Sequence, residues 1–402
     1  MPRKQNREGF GSVRKLPSGR WQARYTDDDT GERIAAPDTF ATAADARLWL
    51  AEVRTKRARG SYIDHRRGER RLADFGREWI ENGGSRGHLA IRTAEEYEDL
   101  LDRHIAPTIG RRALRNIDPA AVRSWYAALQ RELALRAAQP RLDGTQRRST
   151  GQRRTEQAYT LLKSILATAE RDGLIGRNPC QISGGGASKA PGRAFLPPED
   201  LARLLGLLSP HMRAAVLVIL GGHVRPGEVA GLERRDLDLS AGTLTVERQR
   251  LRSRKQGVVI TQTKTTDRRT VDLPQITLDA LRDYLATVPK ALPKAPLLLN
   301  SKGAPLTVSA MQHAFVKARA ALGLDDFHLY DAKGTGLTLL AQQGATIAEL
   351  MDAAGHSTAA AAMAYQKVAR TRGKVLAAGL NDALAGLREE SGEGAAGAIR
   401  GA

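Results

Sequence analysis

Hydrophobic and polar positions change their period along the chain. Residues Arg20 to Tyr25 alternate strictly: Trp21, Ala23 and Tyr25 share one face, Arg20, Gln22 and Arg24 the other. Pro17-Ser18-Gly19 before this run and Asp29-Thr30-Gly31 after it are turn signals, and a third strand is expected near residues 32–36. Thr42 then caps a predicted helix whose Ala46, Trp49, Leu50 and Val53 follow i, i+3, i+4, i+7. From about 72 to 182 the period is helical. Thr93-Ala94-Glu95-Glu96 reads as a capping box ahead of a buried stripe of Tyr97, Leu100, Leu101 and Ile105. Asp118 caps the next helix, with Pro119 at its first position and Val122, Trp125, Tyr126, Leu129 and Leu133 facing inward. A further helix carries Ala158, Leu161, Leu162, Ile165, Leu166 and Ala169, and Gly173 stops it.

Two stretches interrupt the periodicity: a charged linker over 63–71 and a Gly/Ser linker over 183–192. Past the second, Pro198 opens an amphipathic helix with Leu201, Leu204, Leu205 and Leu208, and Met212 to Leu220 is apolar all round, as in a buried helix. Strands are predicted at 243–246, 258–261 and 269–273; helices resume near 276, and the Gly/Ala/Ser/Glu composition after 387 predicts a disordered tail. The fold class expected is mainly α with small β-sheets, in three domains at 1–62, 72–182 and 193–387, with a tail at 388–402.

Charge narrows the partner. Of 402 residues 63 are Lys or Arg against 44 Asp or Glu, a net charge of +19 spread along the chain, which favours a polyanion such as nucleic acid over a membrane. A basic solubility profile in an Arg- and Ala-rich protein is the bland alternative. Residues 136–154 hold Arg136, Arg141, Arg147, Arg148, Arg153 and Arg154 against one acid, Asp143, as a phosphate-contacting loop or a solvated charged one. The cationic strand face of Arg20 and Arg24 is open to the same two readings. The single cysteine, Cys180, excludes a disulfide framework within one chain. The basic N-terminus has no apolar segment of a signal peptide, and the longest apolar run, 214–220, is too short to span a bilayer, so a reducing intracellular setting is expected. The eight histidines show no i, i+4 ligand pair with an acid nearby, which argues against a metal hydrolase.

Four short stretches carry candidate chemistry: Val224-Arg225-Pro226-Gly227-Glu228; Thr263-Lys264-Thr265; Tyr330-Asp331-Ala332-Lys333; and Gly355-His356, with Tyr365 nine residues beyond the histidine. Each alone has an ordinary explanation, respectively a salt bridge of Arg225 with Glu228, a solvated turn lysine, a helix start, and a cap with a packed aromatic. Together they supply what phosphodiester transesterification requires: a nucleophile, cations around the phosphate, an acid for the leaving oxygen, and positioning. Arg225 before Pro226 also places a guanidinium beside a predicted helix N-terminus, where both can face one phosphate.

The order and spacing of these stretches resemble the tyrosine recombinases, the phage-integrase family of DNA strand-exchange enzymes. The resemblance is strong over about 195–385, moderate over 72–182 and weaker over 1–62. It implies an arm-type DNA-binding domain, a helical core-binding (SAM-like) domain and a mixed α/β catalytic domain. It implies Tyr365 as nucleophile forming a 3′-phosphotyrosyl link, Lys264 as general acid, and Arg225 and His356 as phosphate contacts. It implies no cofactor and no metal. The partners implied are double-stranded attachment sites of a mobile element, a homotetramer on synapsed DNA, accessory excision or DNA-bending proteins, and no membrane. The setting implied is the bacterial cytoplasm.

The third stretch departs from the family pattern, His-x-x-Arg-His followed by Thr-Gly. Aligned on Thr335-Gly336, Tyr330 stands at the first histidine, Lys333 at the second arginine and Gly334 at the second histidine, while His328 lies two residues too early. Lysine keeps the charge but loses the bidentate fork, a loss of about 3–4 kcal/mol by comparison with removing one preorganised donor. Gly334 removes a side chain from what is expected to be a helix start. A second reading therefore stays open: a recombinase fold that binds and synapses DNA without efficient cleavage.

Overall fold

The computed structural model describes residues 10–27, 31–59, 67–139, 151–187, 194–263, 268–355, 358–368, 377–378, 380–381 and 384. The chain divides into two compact units, Met1–Ala190 and Pro191–Ala402.

In the first unit, β1 (Ser12–Lys15), β2 (Trp21–Thr26) and β3 (Arg33–Ala35) form an antiparallel sheet in that order. Its register sets Arg24 opposite Ser12 on one side and Ala35 on the other. The apolar face of β2 is buried as its alternation predicts. Ala23, Tyr25 and Ile34 pack against Ala46, Leu50 and Val53 of α1 (Ala43–Ala58). Thr42 caps α1, its hydroxyl accepting the Asp45 N–H at 3.1 Å. Phe10 stacks on Tyr25 with ring centroids 5.5 Å apart.

A separate core in the same unit joins α2 (Leu72–Glu81), α3 (Ile91–Leu100), α4 (Pro119–Ala138) and α5 (Gln152–Arg171). The predicted stripes of α4 and α5 lie inside it. The indoles are satisfied there: Trp79 Nε1 donates to Thr168 Oγ1 at 2.8 Å and Trp125 Nε1 to the His104 carbonyl at 2.9 Å. Asp118 caps α4, accepting the Ala121 N–H at 2.6 Å. The capping box expected at Thr93 is not used. The helix starts two residues earlier at Ile91, because Leu89 packs on the core and carries the apolar register upstream; the Thr93 and Ala94 N–H groups already bond the Ala90 carbonyl. Past Leu100 the chain winds into a π turn, Leu101–Ile105, which keeps Leu101 and Ile105 buried. The first half of the expected Gly/Ser linker is not free chain: Gly185 is buried and its carbonyl accepts the Tyr126 hydroxyl at 3.2 Å. Cys180 is buried, and burial pushes its thiol up to about 12, so it is not a nucleophile at neutral pH.

The second unit is built around α7 (Pro210–Gly221), buried on nearly all sides. Around it pack α6 (Pro198–Gly206), α9 (Gln275–Ala286), α10 (Val308–Ala321) and α11 (Leu329–Gln342). After α7 come a four-residue helix, α8 (Pro226–Val229), and the strands β4 (Leu237–Asp238), β5 (Thr243–Val246), β6 (Arg248–Ser253), β7 (Gly257–Gln262) and β8 (Arg269–Asp272). β4, β5 and β8 make one antiparallel sheet, and β6 and β7 a hairpin. The alternation does not predict β4 or β6; β6 reads Arg-Gln-Arg-Leu-Arg-Ser and owes its conformation to pairing with β7. The chain ends its described part with α12 (Ile347–Ala354) and α13 (Ala359–Val368). Leu337, Ala341, Leu350, Ala354, Ala362 and Tyr365 form a small second core there. Most of residues 372–387, and all of the expected tail at 388–402, lie outside the described residues; Leu380 and Leu384 are exposed.

Candidate active site

Two elements deliver charge to the C-terminal turn of a third. α12 ends at Gly355, which adopts the left-handed conformation (φ 59°, ψ 50°) that glycine allows at a helix C-terminus. The two carbonyls of this turn each receive a cation. Arg225 Nη2 donates to the Gly355 carbonyl at 3.2 Å, and Lys333 Nζ, on α11, donates to the Ala354 carbonyl at 2.7 Å. The chain then runs directly into His356. Lys333 is 5 % exposed, so its ammonium belongs to the interior of the site and not to solvent.

Arg225 is held by Glu228, whose carboxylate is 1 % exposed. Glu228 accepts the Arg225 backbone N–H at 2.9 Å and Arg225 Nη1 at 2.9 Å. At the α8 N-terminus, where a phosphate site is expected, α8 is a single turn and Glu228 takes the N–H of its cap. The salt bridge exists, but as a buried one. Glu228 also takes Arg269 from β8, at 2.6 Å from Nη2 to Oε2 and 3.4 Å from Nη1 to Oε1. Burial alone would raise the Glu228 carboxyl; the hydrogen bonds and charge of Arg269, then those of Arg225, outweigh it and hold the group below the usual carboxylate range.

His223 precedes this arrangement in an unusual backbone conformation. With φ at 52° it is the one non-glycine residue in the left-handed region among the described residues, at the sharp exit from α7. Its ring is buried. Burial first, then the charges of Lys333 and Arg269, push its pKa from 6.5 to about 4. The imidazole is thus neutral in the folded protein throughout the range in which an unfolded histidine titrates. Stability from this group is fully present above pH 6.5 and is lost as the pH falls toward 4, by up to about 3 kcal/mol. His223→Asn tolerates the backbone and removes the proton site. Between pH 7 and pH 4.5 its thermal midpoint is expected to fall less than that of the wild type. Parallel midpoint curves would disprove the assignment.

The remaining sequence-predicted residues are placed as follows. Tyr365, on α13, is 1 % exposed and packs in the small core with Leu337, Leu350 and Ala354. Tyr330 is 53 % exposed on the first turn of α11 and does not join the cluster around Gly355. Gly334 is not at the helix start: α11 begins at Leu329, where Asp331 Oδ2 accepts the His328 N–H at 2.8 Å, and Gly334 lies in the second turn, buried. Lys264 and His356 lie outside the described residues, as do Arg147 and Arg148. Arg20 is exposed but bonds Thr39, with Nε to Oγ1 at 2.6 Å, and Arg24 is half-buried. Arg153 is exposed on α5. Arg154 is paired with Glu96 and Asp99, and its Nε reaches His104 at 3.3 Å, so the described fold uses it to tie α5 to α3.

Sequence reasoning named Glu228 only as a salt-bridge partner of Arg225, and did not single out Arg269 or His223. Arg269 left a signal. In Arg269-Thr270-Val271-Asp272-Leu273 it shares the parity of Val271 and Leu273, the inward face, where an arginine needs a buried acid.

Three family models match the chain: phage integrase, N-terminal domain, over residues 9–59; phage integrase, N-terminal SAM-like domain, over 71–130; and phage integrase family over 194–372. The prophage phiRv2 integrase of Mycobacterium tuberculosis is 33 % identical over 384 residues, 93 % of this chain and 96 % of that protein. The fold is similar to that of the Tn1549 transposon integrase solved with circular intermediate DNA (TM-score 0.61, 18 % identity, 73 % of this chain and 94 % of that one). It is also similar to that of a lambda integrase tetramer bound to a Holliday junction (TM-score 0.52, 15 % identity, 86 % and 95 %). The chain belongs to the phage integrase family of tyrosine recombinases, and it is a site-specific recombinase of mobile elements.

Proposed function

We propose that Tyr365 is the nucleophile and that Arg225, Lys333, His356 and Lys264 complete the site. The Tyr365 phenol oxygen attacks the scissile phosphorus, the bond to the 5′ oxygen breaks, and a 3′-phosphotyrosyl link forms. Lys264 gives the departing 5′ oxygen its proton, and the phenol proton passes to solvent. Arg225, Lys333 and His356 face the non-bridging oxygens, whose charge grows in the transition state. Attack by the 5′ hydroxyl of the other duplex reverses the step and rejoins DNA, so the bond energy is stored and no external energy source is required. The observation that carries this reading is the convergence of Arg225 and Lys333 on the two carbonyls immediately before His356, with Tyr365 on the next helix. Since Tyr365 is buried, attack requires α13 to move.

Residues 1–62 are assigned to arm-type sites, 72–182 to the core site and 193–387 to catalysis. Four protomers act on two double-stranded attachment sites in the bacterial cytoplasm, through a Holliday junction, with accessory excision or DNA-bending proteins setting direction. Arg20, Arg24, Arg147, Arg148 and Arg153 are the proposed backbone contacts, sensitive to salt; Arg154 supports the fold that presents them.

The test is covalent capture. Nicked half-site DNA from the ends of the element carrying this gene is incubated with protein, denatured and resolved. A protein–DNA adduct that disappears in Tyr365→Phe is expected. Site-specific binding with no adduct from the wild type would instead establish a recombinase fold that binds without cutting.

A further inference from the structure

We infer that Arg269 is a positioning residue for strand cleavage: it neutralises Glu228 so that Arg225 can present a net positive charge to the scissile phosphate. The inference rests on the reading of Arg225 given above. An arginine locked to one buried carboxylate is a poor phosphate ligand, because the pair is neutral overall and the carboxylate repels an incoming anion. Glu228 makes two contacts that would do this to Arg225: its carboxylate, 1 % exposed, accepts both the backbone N–H and Nη1. Arg269 changes the balance. Its two terminal nitrogens reach both carboxylate oxygens, at 2.6 and 3.4 Å, so the trio carries one net positive charge and not zero.

Geometry also sets the direction of that charge. Arg269 reaches Glu228 from β8 and Arg225 reaches it from the start of α8, so the two guanidiniums grip the carboxylate from separate elements. Arg225 keeps Nη2 on the Gly355 carbonyl, toward the turn that leads to His356. The Arg269 guanidinium flanks the same turn: Cζ, Nε and Nη1 each lie 3.6 Å from where a Cβ on Gly355 would stand. Its Nε is buried with no hydrogen-bond partner among the described residues. The second arginine that the family pattern carries is Lys333 here, with one compact donor. Arg269 adds a further cation behind Arg225.

The experiment compares two half-site substrates, one with an ordinary scissile phosphate and one with a methylphosphonate, which lacks one negative charge at that group. Adduct formation is timed for wild type, Arg269→Gln and Arg269→Lys, and thermal midpoints confirm folding. On the phosphate, Arg269→Gln is expected to be slower by about 10- to 100-fold. On the methylphosphonate the deficit is expected to shrink to about threefold, because less charge needs to be met. Arg269→Lys keeps the charge and is expected within about fivefold of wild type on both. Equal deficits on the two substrates would mean that Arg269 only holds the fold, and no deficit on the phosphate would mean that it does nothing for Arg225; either overturns the inference. Should Arg269→Gln not fold, Arg269→Met, which also removes the charge, decides: a deficit that shrinks on the methylphosphonate supports the inference, and an equal or absent one overturns it. A wild type that yields no Tyr365-dependent adduct on the phosphate overturns the recombination site itself, a different outcome from any of these.

Discussion

Lys333→Met is expected to slow covalent capture of half-site DNA by about two to three decades while leaving site binding within a few-fold. The lysine stem is buried in the site and its ammonium is spent on the Ala354 carbonyl, beside the turn that receives Arg225. Methionine has a similar length and fills the same space, so the fold survives the exchange and the loss is one of charge. The carbonyl left without its donor costs about 1 kcal/mol of stability, well below the effect on rate. Binding should change little because many phosphates along the site contribute to it, whereas only the scissile one develops charge in the transition state. Single-turnover adduct formation and a binding titration at fixed salt check both halves. A rate equal to wild type would remove Lys333 from the catalytic set and leave Arg225 as the only cation of that set among the described residues.

Gly336→Ala should destabilise the second unit by about 3 kcal/mol. α11 crosses α7 at this glycine so closely that a Cβ would stand 2.0 Å from the Leu220 carbonyl oxygen, and 3.0 Å from His223 Nδ1. The first obstacle is backbone within a buried helix, which cannot rotate aside, so the two helices must separate. That separation moves both carriers of the site, since His223 and Arg225 follow α7 and Lys333 sits one turn before Gly336 on α11. Urea unfolding should show the lower midpoint, and capture should fall even under conditions where the variant is folded. A midpoint within experimental error of wild type would mean that the helices cross further apart than described.

The elements that could be read from the pattern are those whose cause is local. β2 alternates because one face meets α1, α1 and α4 begin where Thr42 and Asp118 can take an N–H three residues on, and α7 is apolar beyond Arg213 because only its first turn meets solvent. Where a neighbour distant in sequence supplies the cause, the pattern is silent or misleading. β6 is arginine-rich and forms because β7 pairs with it; α3 starts at Ile91 because Leu89 has a core to enter; Arg154, part of the densest basic stretch, turns inward to Glu96 and Asp99.

The same division runs through the candidate site. By itself the sequence determined the residue types and their spacing along the chain: an arginine ahead of Pro226, a lysine and not an arginine before Thr335-Gly336, and a tyrosine nine residues past a Gly-His pair. It also determined the replacement of a guanidinium by an ammonium, because that is covalent chemistry. Only the tertiary structure decided which groups meet. It turned Tyr330 outward and Lys333 inward within one helical turn, and it closed Arg225, Glu228 and Arg269 into one buried cluster from two separate elements. It also set a neutral His223 behind them. The physical reason is that charge and pKa depend on distance and burial, which are properties of packing between segments far apart in sequence, while caps, turns and periodicity are properties of a few consecutive residues.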